Sequence, residues 1–172
     1  MGDLTDTLLG FMNMGGNVLW LIAALLLVMW MLIFERVWYL KFSWKADVAA
    51  VISKWEGRSE RKSWEAHQIR GMLISKSRME INRYLPEIKT MVALCPLLGL
   101  LGTVTGMIEV FNIMAVTGGG DAKSMAGGVQ MATIPTMAGM VAALSGVFAN
   151  TYVTQIAQRE SIFLQDNLTT DH

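Results

Sequence analysis

The chain has 172 residues, 53% hydrophobic and only 16% charged, with a mean hydropathy of +0.41. Soluble domains carry about 25% charged residues, so this composition excludes a disordered chain, a collagen-like repeat and a disulfide scaffold. Fourteen acidic residues balance fourteen basic ones, leaving no global field for a nucleic acid, and one cysteine with two histidines cannot assemble a zinc site.

The stretch from Thr7 to Phe34 holds no charge, and its second half reads VLWLIAALLLVMWMLIF. A helix needs roughly 20 apolar residues to cross a hydrocarbon core of about 30 Å. A secretory signal is the competing reading. It requires a basic start, a shorter apolar run and a small-residue cleavage site, whereas Met1 to Asp6 holds two aspartates and no Lys or Arg. The run therefore predicts a retained anchor. A second uncharged run extends from Thr90 to Ile108 and, past Glu109, to Val116; a third extends from Ser124 to Gln158. These patterns predict an all-α integral membrane protein. Its segments are a periplasmic N-terminal segment (1–14), transmembrane helix 1 (15–36), a cytoplasmic helical segment (37–90), transmembrane helix 2 (91–116), a periplasmic loop (117–124), transmembrane helix 3 (125–150), and a cytoplasmic C-terminal helix and tail (151–172). The first run is rich in large aliphatic residues and the other two in Gly, Ala, Thr and Ser, which predicts lipid contact for the first and protein contact for the others.

Orientation follows from the basic residues. Twelve of the fourteen Lys and Arg lie between Glu35 and Lys89, which predicts a cytoplasmic location for that segment, with the N-terminus outside and the C-terminus inside. Trp38, Tyr39, Phe42 and Trp44 suit an interfacial belt. Within the segment, Val48, Val51, Ile52 and Trp55 are spaced for a helix over Ala46 to Trp55, Gly57-Arg58-Ser59 breaks it, and Ser63 to Leu85 reads as a second helix. The surplus of basic residues also suits anionic lipid head groups.

The second and third runs carry small residues at close-packing spacing: Gly99, Gly102 and Gly106, then Gly139 with Ala143 and Ala142 with Gly146. Hydroxyls accompany them at Thr103, Thr105, Thr133, Thr136 and Ser145. A hydroxyl in a membrane helix commonly bonds to its own backbone, so packing is one reading of the set and a polar path between two helices is the other. Glu109 is the only carboxylate within a run, and Gln130 lies one turn before Thr133. An intramembrane acid marks a functional site unless it reaches the interface, and the glycine loop eight residues on keeps both readings of Glu109 open. No deep carboxylate occurs in any span, so if ions move here the titrating group comes from another subunit. No nucleophile–base pair can be assembled, which predicts a protein that is not an enzyme and needs no cofactor or metal.

The stretch Leu85-Pro86-Glu87-Ile88, followed by CPLLGLLGTVTGMI over residues 95–108 and Phe111, resembles the core signature of the ExbB/TolQ/MotA proton-channel family. The run TMAGMVAA over residues 136–143 resembles the family's second signature. Within the family the chain is most similar to short ExbB proteins of second-type TonB systems. The resemblance implies a multi-pass protein of the bacterial inner membrane. It also implies a homo-oligomeric ring, a pentamer, around a dimer of single-span ExbD-like helices that supply a protonatable aspartate. The transported ion is then H+, and the proton motive force energises a TonB-like protein for outer-membrane import of iron complexes or vitamin B12. The family's pore-lining hydroxyls map onto Thr103 and Thr136, with Thr133 beside them. Relatives carry a glutamate five residues before the third-span threonine, where this chain has Met131. A TolQ-like role in envelope integrity and a non-conducting scaffold are the rivals.

Overall fold

The computed structural model describes residues 6, 10, 12–13, 15–57, 63–118 and 122–168. Most of the expected periplasmic segment 1–14, Arg58 and Ser59 of the expected break, Gly119 to Asp121 of the expected loop, and the tail from Thr169 lie outside the described residues. Every element among the described residues is helical, and three helices are long and apolar enough to cross a membrane.

Helix α1 (Gly16–Trp38) starts where Gly16 takes a positive φ of 64°. It does not stop at the expected end of the first span. A π-helical turn, Tyr39–Ser43, carries it into α2 (Trp44–Glu56). The Gly57 N–H then bonds the Ser53 carbonyl at 2.9 Å and closes that helix. Helix α3 (Trp64–Asn82) is N-capped by Ser63, whose hydroxyl accepts the Ala66 N–H at 3.2 Å. It ends three residues short of the expected Leu85, because Tyr84 adopts a left-handed φ of 64° that no α-helix accommodates. Helix α4 (Leu85–Thr117) carries Pro86 in its first turn, where a missing N–H removes no helical bond. Gly118, at φ 72°, ends α4 by bonding the Met114 carbonyl at 3.0 Å. Helix α5 (Ala122–Asn167) runs 46 residues with Pro135 inside it.

The chain divides into two compact units. The first comprises residues 1–30 and 89–147. Its centre is a cluster of Val18, Ile22, Cys95 and Ala142, against which Leu25, Leu26, Leu98 and Ala143 pack. The expected contrast in burial between the spans is not seen in a single chain. The most apolar window of the second candidate span is 22% buried, less than the 28% of the first, and only the third reaches 39%. Small residues bring α4 and α5 together along one narrow face, and α4 leaves Leu97, Leu100, Leu101, Val104, Ile108 and Phe111 exposed.

The second unit comprises residues 31–88 and 148–172. Trp44 and Trp55 are buried in it, along with Ile81, Val153, Ala157 and Leu164. Arg36 is 2% exposed and donates from Nη2 to the Glu80 and Ile81 carbonyls, the latter at 2.7 Å. Those carbonyls lie in the last turn of α3, where the helix dipole is negative and a guanidinium is favoured. Arg70 likewise reaches the end of α5 by bonding the Leu168 carbonyl.

Candidate functional site

The glycines of α4 and α5 meet in antiparallel order. A Cβ added to Gly139 would lie 2.5 Å from the Cys95 carbonyl oxygen, and one on Gly99 would lie 3.0 Å from Thr136 Cα. Further along, a Cβ on Gly102 would lie 2.3 Å from Pro135 Cβ, and one on Gly106 would lie 2.5 Å from Ala132 Cα. The seam continues to Gly128, whose Cβ would meet Val110 Cγ2 at 2.4 Å. At the other end a Cβ on Gly146 would meet Val92 at 2.6 Å and the Met29 sulfur at 2.7 Å. The helices thus touch backbone to backbone at several levels, an approach that only residues without a side chain permit. Ala143 sits half-buried against the central cluster.

The hydroxyls divide into two kinds. Thr103 donates to the Leu100 carbonyl at 2.6 Å, Thr133 to Gln130 at 3.1 Å, and Ser145 to Ala142 at 2.8 Å. Thr105 shares its proton between the Leu101 and Gly102 carbonyls, both at 3.1 Å. These satisfy themselves on their own helix. Thr136 alone in this set crosses the seam, donating to the Gly99 carbonyl at 3.0 Å. Gly99 is four residues before Thr103, so the same oxygen is the α-helical acceptor for the Thr103 N–H. One carbonyl thereby ties Thr136 to the turn that carries Thr103, and both side chains are half-buried.

Beside the seam lies a cavity of about 740 Å3. Among the described residues it is walled by Asn13 and Gly15, by Gly16 to Val18 at the start of α1, by one face of α4, and by Gly127, Gly128, Gln130 and Met131 of α5. Glu109 and Gln130 both line it, together with Thr105 and Met131, whereas Thr103, Thr133 and Thr136 do not. Glu109 is exposed. Among the described residues no group of His, Cys, Asp and Glu is arranged to hold a metal ion. The thiol of Cys95 is buried and donates to the Met91 carbonyl at 3.3 Å.

Sequence reasoning did not single out Val110, Gly128 or Ala132 as seam residues, whereas it paired Gly146 with Ala142 at close-packing spacing. Their signal is present in the third run, where Gly128, Ala132, Pro135, Gly139, Ala142 and Gly146 recur every three or four residues as one small-residue stripe. The nearness of Asn13 and Asn17 to Glu109 had no local signal.

Residues 45–165 match the model of the MotA/TolQ/ExbB proton channel family, and the chain belongs to that family. It is similar to the biopolymer transport protein ExbB-like 1 of Synechocystis sp., with 50% identity over 60 residues, 33% of this chain and 24% of that protein. ExbB-like 3 of the same organism is 32% identical over 84 residues, 45% of this chain and 40% of that protein. Biopolymer transport protein exbB1 of Vibrio cholerae serotype O1 is 32% identical over 99 residues, 57% of this chain and 43% of that protein. The chain thus spans less than half the length of the curated relatives it matches. No solved structure matches it.

Proposed function

We propose that the chain is an ExbB-like, non-enzymatic subunit of a proton-driven motor in the bacterial inner membrane, which energises TonB-dependent import through the outer membrane. The observation that carries this reading is the α4–α5 seam, where the Thr136 hydroxyl donates across to the Gly99 carbonyl, one turn before Thr103, so that the family's two threonine positions lie at one level. The concentration of basic residues between Glu35 and Lys89 supports a cytoplasmic location for that segment. The seam offers hydroxyls but no carboxylate, so the titrating acid belongs to an ExbD-like single-span partner, and this chain supplies the polar wall. The broad apolar face that α4 leaves exposed supports a ring of identical subunits closed on one another and on lipid. The relatives' names favour biopolymer transport over envelope constriction.

The test is a double Thr103→Val, Thr136→Val variant, made in cells that depend on TonB-type import. Assembly and protein level should stay at the parental value while energised uptake of iron complexes is lost. Parental uptake at normal protein level would overturn the assignment. Detergent and bile sensitivity without an uptake defect would move the chain to the Tol-type role.

A further inference from the structure

The cavity beside the seam has a chemistry that helix packing does not require. Six glycines line it, and a side chain at Gly127 would meet nothing within 4 Å, so the space there is open. At about 740 Å3 it far exceeds the ~30 Å3 share of one water molecule. On α4, Gly102, Thr105, Gly106, Glu109 and Ile113 recur at helical spacing, so one face of that helix forms a wall. That wall carries a carboxylate into an otherwise uncharged space. Among the described lining residues Glu109 is the only titratable group, and the nearest cation in sequence on α5 is Lys123, one turn before Gly127. No salt bridge to Glu109 forms among the described residues.

Within a bilayer, an ionised carboxylate without a partner would be costly. It is relieved by taking up a proton, by coordinating a cation, or by water that fills the space around it. Neutral oxygen donors for a cation line the same cavity: the Thr105 hydroxyl and the side-chain amides of Asn13, Asn17 and Gln130. The single negative charge suits a monovalent ion, since divalent sites recruit several carboxylates.

Resting on the channel reading above, we propose that this cavity is the ion-collecting vestibule of the channel, in which Glu109 captures a monovalent cation, hydronium or sodium, before it reaches the seam. The lining reaches Gly102, the residue next to Thr103, so the vestibule ends where the threonine pair begins.

The experiment measures flux in proteoliposomes holding the full chain co-purified with its native partner. One arm applies a pH gradient in choline chloride without sodium, and the other a sodium gradient at equal pH. Glu109→Gln should lower one flux several-fold and raise the half-saturating concentration of that ion, and Glu109→Asp should restore most of both. The arm that responds names the ion. Parental flux and half-saturation of Glu109→Gln in both arms, while the Thr103/Thr136 double variant fails to conduct, would overturn the vestibule and leave the channel standing. If the parental complex moves neither ion, the channel reading falls. Sodium-23 relaxation and potentiometric proton uptake of the chain alone then decide the vestibule, and equal values of both for the parent and Glu109→Gln would overturn it.

Discussion

Thr136 shows how one side chain departs from the habit of its type. A threonine in a membrane helix ordinarily bonds to a carbonyl three or four residues back, as Thr103, Thr105 and Thr133 do. Thr136 instead donates to Gly99 because the absence of a side chain there brings the facing carbonyl to 3.0 Å. Interhelical hydrogen bonds of this kind contribute about 0.6 kcal/mol on average, so the bond orients a hydroxyl more than it stabilises a fold. A second residue-scale arrangement lies outside the spans. Burial, and then a 3.0 Å hydrogen bond donated to Asp47, raises the Tyr39 phenol above its ordinary range. The fold therefore holds the neutral phenol, and its contribution to stability is present below the ordinary tyrosine range and lost as pH rises through the raised value. Tyrosinate absorbance of Tyr39 should appear at higher pH than that of a free phenol. Asp47→Asn should lower that midpoint without returning it to the ordinary value, since burial is the larger cause. An unchanged midpoint in Asp47→Asn would show that the hydrogen bond does not contribute.

At the scale of elements, the same substitution should have opposite signs at two glycines. Gly71 lies in the middle of α3, and nothing stands within 4 Å of an added Cβ. Gly71→Ala should stabilise by about 0.5–1 kcal/mol through backbone entropy and helix propensity. Gly106 faces Ala132, with Cα, Cβ and N all within 2.7 Å of an added Cβ. Those are backbone and alanine atoms that cannot swing aside, so Gly106→Ala should destabilise by roughly 1–3 kcal/mol despite the same propensity gain. Thermal unfolding of the purified protein in one detergent checks both, and a Gly106→Ala variant as stable as the parent would disprove the tight seam. Tyr84 is the other informative position between elements. Its φ of 64° lets the chain end α3 and start α4 after two intervening residues, inside the stretch Ser63 to Leu85 that sequence patterning reads as one helix.

For the whole molecule, the exposed apolar surface is the dominant feature. Lipid covers part of it, but lipid tails give no hydrophobic drive for helices to associate, and close packing of small residues does that work instead. The glycine stripe is already used inside one chain, so in the proposed ring contacts between subunits would fall to the larger side chains that α4 and α5 leave outside, such as Leu100, Val104, Met140 and Leu144. Native mass spectrometry in mild detergent should give a species at five times 19.0 kDa, which takes up a lighter partner on co-expression. A stable monomer or dimer that ignores an ExbD-like partner would favour a scaffold role.

Three long apolar helices were legible in the sequence by itself, because crossing about 30 Å of hydrocarbon demands uncharged runs that composition cannot hide. Family membership was legible too, since LLGLLGTV-x-GMI is a dense motif in a short stretch. The spacing of Gly99, Gly102 and Gly106 marks a close-packing face, yet spacing carries no information about what lies opposite. Only the tertiary structure paired Gly106 with Ala132, Gly102 with Pro135 and Thr136 with the Gly99 carbonyl. It alone brought Glu109 of α4, Gln130 of α5, Asn13 ahead of α1 and Asn17 in its first turn to one cavity. The physical reason is that a local pattern dictates which residues share a helix face, whereas the register between helices is set by packing over the full length of both.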